Sequence, residues 1–117
     1  MTLHLYKSDN HGQPVFFQHG LCGSAAQTIE AFPEDPRFRL HTLECRGHGA
    51  TDAGDTNALS INSFANDVAE SVEAAPVILG GISMGAAIAL NLAVHKRHLV
   101  PPRQRTSSLQ RLLVLAR

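Results

Sequence analysis

The sequence lacks a net charge and any long apolar run, and each absence excludes a class of protein. Its 10 Lys and Arg residues balance its 10 Asp and Glu residues, so the composition gives no electrostatic basis for binding nucleic acid or an anionic membrane surface. No apolar stretch is long enough to span a bilayer, and the opening "MTLHLYKSDN" lacks the basic start and apolar centre of a signal peptide. We therefore expect a soluble protein of the cytoplasm that binds neither nucleic acids nor membranes.

Cysteine is also scarce. Two cysteines are too few for a disulfide-based scaffold, and Cys22 and Cys45 are too far apart for the closely spaced pair of a zinc site. We expect both to be reduced thiols and no metal site, with Cys22 buried rather than at the mouth of a pocket. The 117 residues suffice for one domain with a modest core.

Strand and helix patterns alternate along the chain. Strands are predicted at residues 3–7, 15–20, 38–45, 76–81 and 111–117, and helices at 25–32, 61–72 and 84–97. Ser60 is the predicted N-cap of the second helix. This alternation predicts an α/β protein whose mostly parallel sheet is covered by helices on both faces, with the strand that ends near Gly81 at its centre.

The stretch "ILGGISMGAAIAL" places Ser83 among glycines where a buried strand passes into a helix. Alanines stand where a phosphate-binding loop needs its Lys and Ser/Thr, and the spacing does not match the GxGxxG of a dinucleotide site. We therefore expect no nucleotide or other cofactor. GxSxG does match from Gly81 to Gly85, and a strained turn that presents a nucleophilic serine requires this strand-to-helix context. A tight turn without chemistry is the alternative.

Three stretches, "VFFQHGLCGS", "LECRGHGATD" and "LGGISMGAAIALNLA", resemble in this order landmarks of the α/β-hydrolase fold family. They cover most of the chain from about Val15 to Val94. They are most similar to the group of small esterases, lactonases, C–C bond hydrolases and cofactor-free haloperoxidases. The resemblance implies a serine hydrolase for a small-molecule, ester-like substrate. Ser83 would be its nucleophile, and the backbone N–H groups of Leu21 and Met84 would form the oxyanion hole, which suits an acyl-transfer transition state.

The histidines of the first two landmarks are not expected to act as bases. The resemblance implies that His19 and His48 hold loops by hydrogen bonds, because a family triad runs Ser, acid, His in chain order. Arg46 and Asp52 are likewise expected to fix the second loop with their charges.

Two histidines do follow the serine. His95 lies twelve positions along the same predicted helix, about 18 Å away at 1.5 Å per residue, which is beyond hydrogen-bond reach. We expect His95 and His98 to be solvated at the helix end. The triad acid and base, which the family supplies after later strands, therefore have no counterpart in this sequence.

We expect the chain, residues 1–117, to be the N-terminal portion of an α/β-hydrolase domain, truncated after the strand that follows the nucleophile helix. The apolar run "LLVLA" would then be an exposed edge strand through which copies dimerise or aggregate. Two functions stay open. One is a serine hydrolase acting on an ester-like or lactone carbonyl through an acyl-enzyme, with its acid and base supplied from elsewhere. The other is an inactive hydrolase-fold remnant that serves as a binding module.

Overall fold

The computed structural model describes residues 3–101, which form a four-stranded sheet and three α-helices. The strands are β1 (His4–Lys7), β2 (Gln13–Gln18), β3 (Phe38–Glu44) and β4 (Ile78–Gly81), and the helices are α1 (Ala25–Ala31), α2 (Ile61–Ser71) and α3 (Met84–His95). The predicted α/β class is confirmed. Within this part of the chain, no helix has the length and apolarity needed to cross a membrane.

The strand order is β1-β3-β2-β4. Strand β1 runs antiparallel to β3, whereas β2 is parallel to both β3 and β4, so the sheet is mostly parallel as predicted. Among these four strands β4 is the last in the order rather than the central one. The strand predicted at 111–117, which would continue the sheet, lies outside the described residues, and so does the edge proposed for association.

Neighbouring residues of β2 face opposite sides of the sheet and belong to different cores. Phe16 is buried in the larger core, which includes Val68 of α2 and Leu92 of α3. Phe17 lies in the smaller core, where its ring packs 5.7 Å from that of Phe32, the residue that ends α1. Helices therefore contribute to both faces, as expected for strands that are apolar on both sides.

A side chain continues the pairing of β2 and β3 beyond its main-chain ladder. The main-chain register runs as far as Phe16 opposite His41. The fully buried Gln18 then donates from Nε2 to the carbonyl oxygen of Leu43 (2.7 Å) and accepts at Oε1 from the N–H of Leu43 (2.8 Å). Its amide spans the gap between the strands and satisfies main-chain groups that would otherwise be buried without partners. The two strands thus remain joined at the end of the sheet where the glycine loops begin.

Ser60 and Ser24 form a matched test of helix capping. Each serine has extended backbone angles and directly precedes a helix. The side chain of Ser60 accepts a hydrogen bond from the N–H of Ser63 (3.1 Å), whereas the side chain of Ser24 forms no cap bond. We expect Ser60→Ala to lower the free energy of unfolding by about 1 kcal/mol and Ser24→Ala to lower it by much less. Urea unfolding followed by circular dichroism measures both, and equal losses would contradict the capping assignment.

Candidate active site

Ser83 occupies a strained turn between β4 and α3. Its backbone angles are φ 52° and ψ −109°, and the residue is exposed. A residue with a Cβ atom rarely adopts a φ in this left-handed region, and it does so only where the surrounding structure imposes that conformation. The strained strand-to-helix turn predicted at this serine is therefore observed.

The two glycines of GxSxG impose that turn by allowing close contact. A Cβ on Gly81 would overlap the main chain of Gly85, and a Cβ on Gly85 would overlap the carbonyl group of Gln18. The N–H of Gly85 also donates to the carbonyl oxygen of Ile82 (2.8 Å). The first turn of α3 consequently lies against the end of β2. This packing leaves Ser83 exposed on the outside of the turn.

Within residues 3–101, two main-chain donors beside Ser83 have no hydrogen-bond partner. Neither the N–H of Leu21 nor that of Met84 donates a hydrogen bond to any residue between 3 and 101. The turn that carries Leu21 lies next to the serine, because a Cβ on Gly20 would stand 3.6 Å from the Cβ of Ser83. Free donors on both sides of a serine suit a developing oxyanion. Their assignment as an oxyanion hole stays a prediction.

His19 is a structural histidine. It is fully buried; its Nε2 accepts from the N–H of Cys45 (3.0 Å) and its Nδ1 is 2.8 Å from the carbonyl oxygen of Gly20. Because an amide N–H only donates, Nε2 must be the unprotonated nitrogen, and Nδ1–H donates to Gly20. Burial lowers the pKa of His19 and favours this neutral ring, although the bond to Gly20 opposes the shift. With both nitrogens engaged, the expected loop-holding role is confirmed.

The RGHG loop is held by several contacts of this kind. His48 packs its ring 4.9 Å from that of His19 and places Nδ1 3.0 Å from the carbonyl oxygen of Arg46. Arg46 forms two parallel bonds to the buried Asp67 of α2, from Nε to Oδ2 (2.7 Å) and from Nη2 to Oδ1 (2.9 Å). This pairing raises the pKa of Arg46. The predicted loop-fixing charge of Arg46 is thus observed.

Asp52 holds the loop by a different means from the one expected. Its carbonyl oxygen accepts from the N–H of Gly47 (3.2 Å). The exposed carboxylate forms no hydrogen bond or ion pair within the described part of the chain. The main chain of Asp52, rather than its charge, therefore fixes the loop.

Glu44, which was not predicted from the sequence, joins two loops at the end of β3. Its Oε2 accepts from the N–H of Ala25, the first residue of α1, and its Oε1 accepts from the N–H of Ala50, both at 3.0 Å. Burial raises the pKa of Glu44, but these two backbone bonds outweigh it and the net shift is downward. A Cβ on Gly49 would overlap the carboxylate. A carboxylate just before a glycine loop was the available signal, but only the fold shows that α1 begins beside it.

The prediction that Cys22 is buried is wrong. Cys22 is exposed, with φ 62°, in the turn between Gly20 and Gly23. Such a tight turn directs the side chain outward instead of into the core. Cys45 is buried, and burial raises the pKa of its thiol to about 11. The two thiols therefore differ greatly in accessibility and reactivity.

Among residues 3–101, no histidine is hydrogen-bonded to Ser83. All seven histidines of the sequence fall within the described residues, and none forms a hydrogen bond with Ser83. His95 and His98 are exposed at and after the end of α3, as expected. Residues 3–101 also contain no group of three metal-ligating side chains. The site as described therefore consists of a serine, two free donors and the scaffold that holds them.

Comparison with known proteins agrees with this geometry. A profile of the alpha/beta hydrolase fold matches residues 13–102. The chain belongs to the α/β-hydrolase fold family. Among curated relatives, protein phosphatase methylesterase 1 of Mus musculus is 37% identical over 86% of this chain, and that of Homo sapiens is 35% identical over the same share. The chain spans 28% of the length of each.

Solved structures of other α/β hydrolases match as well. A putative non-heme bromoperoxidase, BpoC from Mycobacterium tuberculosis H37Rv, is 30% identical with a TM-score of 0.71, covering 86% of this chain and 38% of that one. An enol-lactonase from Burkholderia xenovorans LB400 is 20% identical with a TM-score of 0.70, covering 84% and 40%. The second likeness shows the shared fold alone.

Two variants separate backbone strain from loss of the hydroxyl. Ser83→Gly and Ser83→Ala both remove Oγ, but only glycine tolerates the left-handed φ. Relief of about 1–3 kcal/mol of strain is offset in part by roughly 0.5–1 kcal/mol for the greater freedom of glycine in the unfolded chain. We expect Ser83→Gly to be more stable to urea than Ser83→Ala by about 1 kcal/mol. The reverse order would show that the turn is not strained.

The buried His19 predicts a dependence of stability on pH. The unfolded chain takes up a proton near the ordinary pKa of 6.5, while burial keeps the folded ring neutral to lower pH. The contribution of His19 to the free energy of unfolding is therefore complete above pH 6.5 and is lost as the pH falls below that value. His41, whose pKa is lowered by burial and by the nearby Arg39 and Lys7, acts in the same direction.

Urea unfolding of the parent and of His19→Gln between about pH 7.5 and 5.5, above the carboxylate range, tests this. We expect the variant to be less stable throughout and to lose less stability on acidification. A pH slope that is the same in both proteins would contradict the neutral assignment.

Proposed function

We propose that this chain carries the nucleophile and the oxyanion hole of a serine hydrolase that cleaves carboxylic esters, lactones included. The observation that carries the proposal is the exposed Ser83, held with φ 52° at the start of α3 beside the N–H groups of Leu21 and Met84, which donate to no residue between 3 and 101. The methylesterase name of the curated relatives supports an ester as the substrate class.

The reaction would follow from these positions. Ser83 Oγ bonds to the carbonyl carbon, and the carbonyl oxygen becomes an oxyanion that accepts from the N–H groups of Leu21 and Met84. The N-terminus of α3 adds a partial positive charge at the same point. Collapse of the intermediate breaks the bond to the alcohol and leaves an acyl-enzyme, which water then hydrolyses to the acid and free serine.

Both steps need a general base to take the proton from Oγ or from water and to return it to the leaving group. We propose that a histidine and an acid from outside this chain perform this task. Within the 117 residues, His19 has both nitrogens engaged by main-chain groups, and none of the histidines bonds to Ser83. This same observation favours the second candidate function, a hydrolase-fold remnant that binds without catalysing.

A cysteine in place of the serine needs no base from the protein, because a thiol with an ordinary pKa of about 8.5 loses its proton to a mildly alkaline buffer. The rate then reports on the oxyanion hole. We would change Ser83→Cys together with Cys22→Ser, since Cys22 is the other exposed thiol. Acylation of the new thiol by p-nitrophenyl acetate passes through an oxyanion, whereas alkylation by iodoacetamide does not. Because one such donor contributes about 10²–10³ in rate, we expect the ratio of acylation to alkylation to exceed that of N-acetylcysteine by roughly a hundredfold.

Two controls accompany this measurement. Cys22→Ser alone should form no thioester and should not be alkylated by iodoacetamide, because burial raises the pKa of the remaining Cys45 thiol to about 11. The unmodified chain should hydrolyse the ester very slowly, and Ser83→Ala should abolish that rate. A ratio equal to that of N-acetylcysteine would refute the hydrolase proposal and favour the binding remnant.

A further inference from the structure

Gln27 lies in the first turn of α1, but its side chain bonds outside that helix. Ser24 and Gln27 have the S-x-x-Q spacing of a capping box, in which the glutamine side chain accepts from the N–H of the N-cap residue. Here Oε1 of Gln27 accepts from the N–H of Gly20 (2.8 Å), and the side chain of Ser24 caps nothing. The capping box is therefore not formed, and Gln27 contacts the turn beside Ser83 instead. Departures from the local sequence rules of this kind are expected at functional sites.

That contact matters because Gly20 separates two peptide planes. A glycine rotates freely about both of its backbone bonds, so each plane has to be held separately. Gln27 holds the first plane through the N–H of Gly20. The second plane is held by the carbonyl oxygen of Gly20, which accepts from the N–H of Gly23 (2.9 Å) and from Nδ1 of His19 (2.8 Å).

The second plane contains the N–H of Leu21. In a planar trans peptide the N–H points opposite to the carbonyl oxygen, so the Leu21 N–H is directed away from His19 and Gly23. The turn also lies against the nucleophile, since a Cβ on Gly20 would stand 3.2 Å from the carbonyl oxygen of Ile82 and 3.6 Å from the Cβ of Ser83. A Cβ on Gly23 would overlap the Gln27 amide, so the glutamine packs closely on this turn.

We propose that Gln27 is a positioning residue for the oxyanion hole. Its side-chain carbonyl holds the Gly20 N–H and thereby the position of the Gly20 Cα atom. The bonds to the Gly20 carbonyl oxygen fix that atom but leave the peptide plane free to pivot about it, so the direction of the Leu21 N–H beside Ser83 depends on both anchors. Gln27 itself touches neither substrate nor reacting atoms. This inference rests on the proposed hydrolase function.

The test uses the Ser83→Cys, Cys22→Ser chain and compares Gln27→Met with Glu30→Met, which alters an exposed residue one turn later on α1. Methionine matches the length of glutamine but lacks the carbonyl acceptor. We expect Gln27→Met to lower acylation by p-nitrophenyl acetate about tenfold or more and to leave alkylation by iodoacetamide unchanged. Glu30→Met should change neither rate. Gln27→Glu keeps an acceptor oxygen and should retain a higher acylation-to-alkylation ratio than Gln27→Met.

The outcomes separate the two proposals. A parent ratio equal to that of N-acetylcysteine overturns the hydrolase function and this inference with it. A raised parent ratio that Gln27→Met leaves unchanged overturns the role of Gln27 alone. Amide hydrogen exchange of the unmodified chain gives a second test that does not depend on folding of a variant. The Gly20 amide should exchange slowly and the Leu21 amide rapidly, and equally rapid exchange of both would also overturn the inference.

Discussion

The close approach of the first turn of α3 to the end of β2 is the constraint on which this site depends. Gly85 lies so near the carbonyl group of Gln18 that a methyl group would not fit between them. The chain leaving β4 must therefore turn within two residues, and Ser83 takes the strained conformation that results. Strain at this position is a consequence of packing, which is why it can persist in a folded chain.

Buried polar side chains take over main-chain hydrogen bonding at this end of the sheet. Gln18 replaces part of the β2–β3 ladder, His19 joins Gly20 to Cys45, and Glu44 joins Ala25 to Ala50. Loops cannot pair as regular strands do, yet their buried N–H and C=O groups still need partners. Side chains that meet this need also make the loops rigid, which lets free donors such as the Leu21 N–H hold a fixed direction.

The same use of side chains as hydrogen-bond partners for the main chain explains why His19, although close to Ser83, is unsuited to act as a base. His19 directly follows β2 and precedes the turn that lies against Ser83. Both of its ring nitrogens form hydrogen bonds with main-chain groups, and burial favours the neutral ring. Proton transfer would require it to release one of these bonds, and the loop with it. Holding the scaffold and moving protons are incompatible tasks for one imidazole.

Much of the fold could be predicted because its signals are local. The period of apolar residues marked the strands and helices to within a few residues, Ser60 capped α2 as predicted, and the glycines around Ser83 indicated a strained strand-to-helix turn. Tertiary structure alone decided the strand order, the exposure of Cys22, the joining role of Glu44 and the partner of Gln27. These features depend on which loops are in contact at the carboxyl ends of β2, β3 and β4. The periodicity of apolar residues reports local structure and does not indicate contacts between residues distant in sequence. The sequence by itself determined where the strained serine turn lies, and the packing of the loops determined which main-chain donors beside it stay unpaired within residues 3–101.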